Sequence, residues 1–249
     1  MISVKTAKEL ALMRTAGRIS ARALAVGGKA VKPGVTTAQI NKQIHEYILS
    51  AGAKPNFLHY GGFPASACIS VNDVVIHGIP GNTVIHDGDI VSIDTGAVYE
   101  GYHGDNAATF VAGIVTADAQ KLLDVTRESL NRGVAAAQAG ARIGDIGYAV
   151  QSYVEENGFS VVRDYVGHGI GTDMHEDPEV PNFGTPGRGP RLVPGMVLAI
   201  EPMVNAGGPQ VRQMSDGWTV KTRDGSLSAH FEFTVAITAR GPVILTNPE

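Results

Sequence analysis

The chain holds a single cysteine, Cys68, in 249 residues. No disulfide can form within it, and a reducing compartment is the simplest reading. The opening stretch MISVKTAKEL lacks the apolar run and small-residue cleavage site of a signal peptide. No segment approaches the ~20 apolar residues that span a bilayer. Soluble, unexported, cytoplasmic protein is therefore expected, with no membrane partner. No cluster of Lys and Arg exceeds a few residues, and the net charge is −4; both argue against a nucleic-acid partner. Long linkers and low-complexity segments are also lacking. What is present is ordinary for a globular protein: 43 % hydrophobic and 18 % charged residues, enough for a sizeable core. Glycine is frequent, at 31 residues, which points to turns and close backbone approaches.

Two capping signals open helices. Thr6 to Glu9 precedes a helical pattern that runs to about Ala30, and Thr36 to Gln39 opens AQINKQIHEYILSAG. In the second, Ile40, Ile44, Tyr47 and Ile48 fall on one face, and Gly52 is the stop. The same spacing recurs at Ile146, Val150, Tyr153 and Val154, with Gly158 as the stop, at a constant offset of 106. Leu24/Leu130, Gly27/Gly133, Ala30/Ala136, Gly34/Gly140 and Gly61/Gly167 share that offset. The pattern reads as a duplicated helix–helix–strand unit. One domain over 1–249 is expected, with pseudo-repeats of about 5–110 and 111–249 and a site at their junction. Strand-like runs fill the remainder: ACISV, DIVSID, NAATFVAGIV, VLAIEPMV and AHFEFTVAIT. Helices packed on one face of a sheet make this an α+β fold.

Four of those runs carry acids where a buried face is expected. Glu232 lies between Phe231 and Phe233, Glu201 interrupts VLAIEPMV, Asp94 ends DIVSID and Asp105 starts the next strand. An unpaired buried carboxylate costs several kcal/mol. A two-residue turn at Glu100-Gly101 would set Tyr99 opposite Tyr102 and Asp94 opposite Ala107, leaving Asp94 and Asp105 diagonal neighbours on one face. Four acids on one face repel unless protonated or cation-bound. Sequence neighbours offer no Lys or Arg in EPMVN or HFEFTV; distant arginines are the alternative. Two divalent cations would cancel the formal charge.

Of the eight histidines, His45 and His86 read as solvated, and His103 as part of the hairpin. His168 and His175 stand in GHGIGTDMHE, among glycines that allow close backbone approach. The spacing matches neither the dinucleotide fingerprint nor the helical zinc motif. A histidine with oxygen ligands suits Mn, Fe or Co as well as Zn.

Taken in order along nearly the whole chain, NDVVIHGIP, SIDTGAVYEGYHGDNAATF, GHGIGTDMHEDP, GMVLAIEPMVNAG and DGWTVKTRDGSLSAHFE resemble the type I methionine aminopeptidases of bacteria. The resemblance implies the pita-bread fold: two pseudo-twofold halves with helices on a curved antiparallel sheet around a dinuclear metal site. It implies five metal ligands, Asp94, Asp105, His168, Glu201 and Glu232. Asp105 and Glu232 would bridge the two ions, His168 and Glu201 complete one, and Asp94 hold the other. The ions would be Co, Mn, Fe, Ni or Zn. Catalytic roles fall on His77, His175 and Glu201, and a methionine pocket on Tyr60, Phe63, Cys68, Met174 and Trp218. Phe63 stands where Tyr is frequent in the family, Met174 where Phe is, and Phe233 where some members have His. Without the resemblance, Cys68, Phe63 and Trp218 would read as core and the two catalytic histidines as structural.

The implied reaction is metal-assisted hydrolysis that removes the initiator methionine from nascent chains whose second residue is small. Glu201 would carry the proton, His175 the oxyanion and His77 the scissile nitrogen. The chain's own Ile2 is bulky, so its Met1 should survive. A monomer is expected, with the ribosome as a possible neighbour. Two alternatives remain: an X-Pro aminopeptidase or prolidase-like enzyme, which usually carries an extra N-terminal domain, and a non-catalytic pita-bread module that binds peptides.

Overall fold

In a computed structural model, residues 2–248 are described. Two pairs of helices cover the sheets. α1 (Ala7–Ala30) starts at a complete capping box: the Thr6 side chain accepts from Glu9 N while Glu9 accepts from Thr6 N. α2 (Thr37–Ser50) starts the same way at Thr36 and Gln39. Five strands follow: β1 (Lys54–Pro55), β2 (Ala67–Val71), β3 (Val74–Ile76), β4 (Ile90–Tyr99) and β5 (Tyr102–Val111). β4 is central, with β5 along one edge and β1 and β2 sharing the other. Apolar faces of α1 and α2 bury Leu24, Ile40, Ile44 and Ile48 against Ile69, Val91 and Ile93, each such side chain contributing roughly 1.5–3 kcal/mol by leaving water.

The rest of the chain begins with α3 (Ala117–Ala136) and α4 (Ile143–Glu156) and continues through β6 (Ser160–Val161), β7 (Gly167–Gly169) and β8 (Glu176–Val180). Then come β9 (Val197–Ile200), β10 (Met203–Asn205), β11 (Val211–Gln213), β12 (Val220–Thr222), β13 (Ser228–His230), β14 (Phe233–Thr238) and β15 (Gly241–Ile244). A five-stranded sheet runs β15-β14-β9-β7-β8; two smaller ones run β13-β10-β6 and β11-β12-β3. The second core gathers Leu122, Leu130, Ile146, Val150, Leu198, Ile200 and Val235.

The 106-residue offset has counterparts in backbone and packing. α2 plus 106 coincides with α4 at both ends, and β1 plus 106 with β6. Gly34 and Gly140 both take positive φ, 89° and 93°, in the turns before those helices. Gly27 and Gly133 both sit where two helices cross: a Cβ would lie 2.6 Å from Ile44 Cδ1 and 2.8 Å from Val150 Cγ2. The pairing stops at Gly61, which lies in a short turn at φ 55°, whereas Gly167 lies in β7.

Three expectations about strands need correction. AHFEFTVAIT is not one strand: β13 ends at His230, β14 begins at Phe233, and Glu232 occupies the break, bridged to Ala107 of β5. Likewise VLAIEPMV breaks at Glu201-Pro202 between β9 and β10. Asp94 and Asp105, conversely, lie inside β4 and β5 rather than at their ends.

Candidate metal centre

The β4–β5 hairpin has the anticipated register. Tyr99 pairs with Tyr102 and Asp94 with Ala107. Glu100 and Gly101, at φ 51° and 82°, form the two-residue turn, the left-handed pair that suits hairpin twist. Asp94 and Asp105 therefore share a face as diagonal neighbours. Across from them, the backbone of the second half is stitched to β5. Glu232 N donates to Ala107 O at 2.9 Å. Thr234 Oγ1 accepts from Asp105 N at 3.0 Å and donates to Asp105 O at 2.7 Å. Thr109 Oγ1 accepts from His230 N and donates to its carbonyl. These bonds fix Asp105 and Glu232 side by side.

Asp105, Glu232 and His168 offer ligand atoms that all lie within 4.8 Å of one another. His168 is aimed by its other nitrogen: Nδ1 lies 2.8 Å from Gly169 O, which leaves Nε2 for the cavity. That Nε2 is 3.6 Å from Glu201 Oε1, and His230 Nε2 is 3.5 Å from Glu201 Oε2. Asn182 holds the Glu201 carbonyl at 3.1 Å.

Electrostatics are unfavourable without a cation. No Lys or Arg lines the cavity, and among the described residues none pairs with any of the four acids. Burial, and then the neighbouring carboxylates, push Asp94 and Glu232 far above the usual range. Burial lifts Glu201 to about 8, and burial and Glu201 lift Asp105 to about 8. Burial holds His168 and His230 neutral, down to about 3. Asp94 Oδ1, Asp105 Oδ1 and Glu232 Oε1 are buried with no hydrogen-bond partner. Orphaned carboxylate oxygens beside a neutral imidazole are the donor set a divalent cation takes, so the residues fit a metal.

One cavity of about 140 Å3 collects every anticipated site residue: Asp94, Asp105, His168, Glu201 and Glu232 meet His77 and His175, with Tyr60, Phe63, Cys68, Met174 and Trp218 on the apolar side. Phe63 packs edge-on to Trp218, with ring centres 5.1 Å apart. His77 sits edge-on to Tyr165 and Trp218, in a positive-φ backbone of 57° that only its surroundings can hold. Burial lowers its pKa to about 4. His175 is at the exposed rim, its ring centre 4.2 Å from that of His168 and its Nδ1 2.8 Å from Tyr60 Oη.

Sequence reasoning overlooked Phe57, which also lines the cavity, because an isolated Phe carries no site signal. It overlooked the bonds of Thr234 to Asp105 of β5 and of Thr109, on β5, to His230 of β13, since nothing local marks a hydroxyl that bonds a strand 121 or 129 residues away. His45 is half-buried and bonded to Ser66 Oγ at 2.8 Å, not solvated.

A buried acid–histidine cluster inside two helix-backed halves defines a class. Residues 11–239 match metallopeptidase family M24, and the backbone superposes on prolidase from Pyrococcus furiosus with a TM-score of 0.80 at 24 % identity, covering 99 % of this chain and 66 % of that one. That likeness concerns the fold, the pita-bread arrangement. Closer likeness lies elsewhere. The chain is 55 % identical to the methionine aminopeptidase of Clostridium acetobutylicum over 99 % of both chains. It matches the crystal structure of methionine aminopeptidase from Thermotoga maritima with a TM-score of 0.98 at 46 % identity, covering 99 % of this chain and all of that one. The chain belongs to metallopeptidase family M24, in its methionine aminopeptidase branch. No helix among the described residues is long and apolar enough to cross a membrane.

Proposed function

We propose that this metal-dependent aminopeptidase removes the initiator methionine from nascent proteins whose second residue is small, using two divalent ions held by Asp94, Asp105, His168, Glu201 and Glu232. The observation that carries the reading is the joining of two environments in one cavity: acids without basic partners at one end, and Phe57, Phe63, Cys68, Met174 and Trp218 at the other. The apolar end suits an unbranched thioether side chain. Asp105 lies between Asp94 on one side and the His168/Glu232 group on the other, so it and Glu232 would hold metal at the centre of the cluster. The acids are Co, Mn, Fe, Ni or Zn ligands alike.

A metal held by these residues would supply a lowered pKa for the attacking water and polarisation of the scissile carbonyl. The chain's own groups do the rest. Glu201 takes the proton released by that water and passes it to the leaving nitrogen. His175 donates from Nε2 to the oxygen on which charge develops, with Tyr60 Oη donating to Nδ1 to hold that tautomer. His77, neutral and fixed between Tyr165 and Trp218, contacts the scissile nitrogen. The free α-amino group would bind at the metal-holding end of the cavity, which confines attack to the first peptide bond. Substrates of this kind are met in the cytoplasm, close to the ribosome, by a monomer.

Rates on Met-Ala-Ser and Ala-Pro peptides test the reading. Cleavage of the first with little of the second is expected; preference for Ala-Pro would overturn it in favour of an X-Pro enzyme. Inactivity on both with every metal would favour a peptide-binding module.

A further inference from the structure

Lys5 is only 8 % exposed, an uncommon state for a lysine unless it is paired. Its Nζ lies 2.6 Å from Glu176 Oε2, the residue that follows His175. Ser3 Oγ donates to the same carboxylate and accepts from Lys5 Nζ. The other carboxylate oxygen faces Asp173 N at 3.4 Å, so the Glu176 side chain folds back over the 171–175 loop. Gly171 leaves the space for this: a Cβ there would lie 2.5 Å from Lys5 Cε and 2.8 Å from its Nζ. Lys5 is itself anchored, its backbone N donating to Gly195 O at 2.8 Å.

That loop carries two walls of the cavity, Met174 and His175. Its further ties are His103 N to Gly171 O and Tyr60 Oη to His175 Nδ1. We infer that Lys5 and Glu176 are positioning residues for the peptidase reaction: their buried ion pair clamps the loop and so holds the His175 ring against His168. This rests on the role given above to His175. An ion pair removed from one side leaves the other charge buried and unpaired, which the loop relieves by opening.

The test uses the metal-loaded enzyme and the variants Lys5→Met, Glu176→Gln, their double, and Lys5→Arg. Each single variant is expected to lower kcat on Met-Ala-Ser by about tenfold, with KM changed much less, because misplacement of one reacting group acts mainly on the transition state. The double variant should be no worse than either single, and Lys5→Arg should restore kcat. Hydrogen exchange gives a readout independent of any substrate: amides of 171–176 should lose protection in Lys5→Met while α3 and α4 keep theirs. Loosening of that loop without a peptidase effect would count against the role of His175, not against the clamp. An unaltered loop, additive losses in the double variant, or protection lost uniformly along the chain would overturn the inference.

Discussion

At the scale of single residues, Asp105 is pulled two ways. In the metal-free protein its charge is a burden, disfavoured by burial and by Glu201; in the proposed metal centre it is a ligand. Asp105→Asn should therefore abolish metal-dependent activity while leaving the metal-free protein as stable as the parent, or more so, near pH 8, which melting curves check. His175→Ala should lower kcat about 100- to 1,000-fold, the usual cost of losing one oxyanion donor, and steady-state kinetics on Met-Ala-Ser reads it. The acids were visible in the sequence because a carboxylate inside an apolar run is anomalous by itself. Their distances were not, since Glu232 is joined by a backbone bridge to Ala107, two residues past Asp105, across 125 positions of chain. Phe57 was invisible for a different reason: its place in the cavity comes from packing with Phe63, Cys68 and Met174, which nothing local marks.

Among elements, local signals set the helices and the hairpin. Capping boxes, one-face periodicity and glycine stops mark α1, α2 and α4 in the sequence. The strand breaks at Glu201 and Glu232 escaped, because apolar alternation runs straight through both; what ends β9 and β13 is pairing with different partners on either side. We propose that the matched helix pairs belong to two repeats, about 5–110 and 111–249, within one domain. α1 rests on the hairpin through Gly104, where a Cβ would lie 2.6 Å from Gly17 Cα. Backbone on both sides leaves no rotamer to yield, so Gly104→Ala should cost about 1–3 kcal/mol, read as a lowered urea midpoint. It should also weaken metal binding, because Asp105 is the next residue. An unchanged midpoint would mean that α1 does not brace the hairpin.

For the whole molecule, the cluster sets how stability follows pH. Burial lifts Asp105 and Glu201 to about 8 in the folded chain, well above the ordinary carboxylate range. The folded state then binds more protons than the unfolded one, and stability falls as pH rises toward 8. His168, His230 and His77, lowered to about 3, 3 and 4 from 6.5, act oppositely, but only below about 6.5. Between about 6.5 and 8 the carboxylates act alone. The metal-free protein should lose melting temperature across that window, and added Mn2+ should protect it more at the upper end. The most direct measurement is metal content against activity. Chelator-stripped protein, dialysed against graded Mn2+ near neutral pH, should begin inactive on Met-Ala-Ser, take up close to two ions per chain and gain activity as it fills. Full activity in the stripped protein, or no ion retained at any concentration, would contradict a buried acid cluster built for metal.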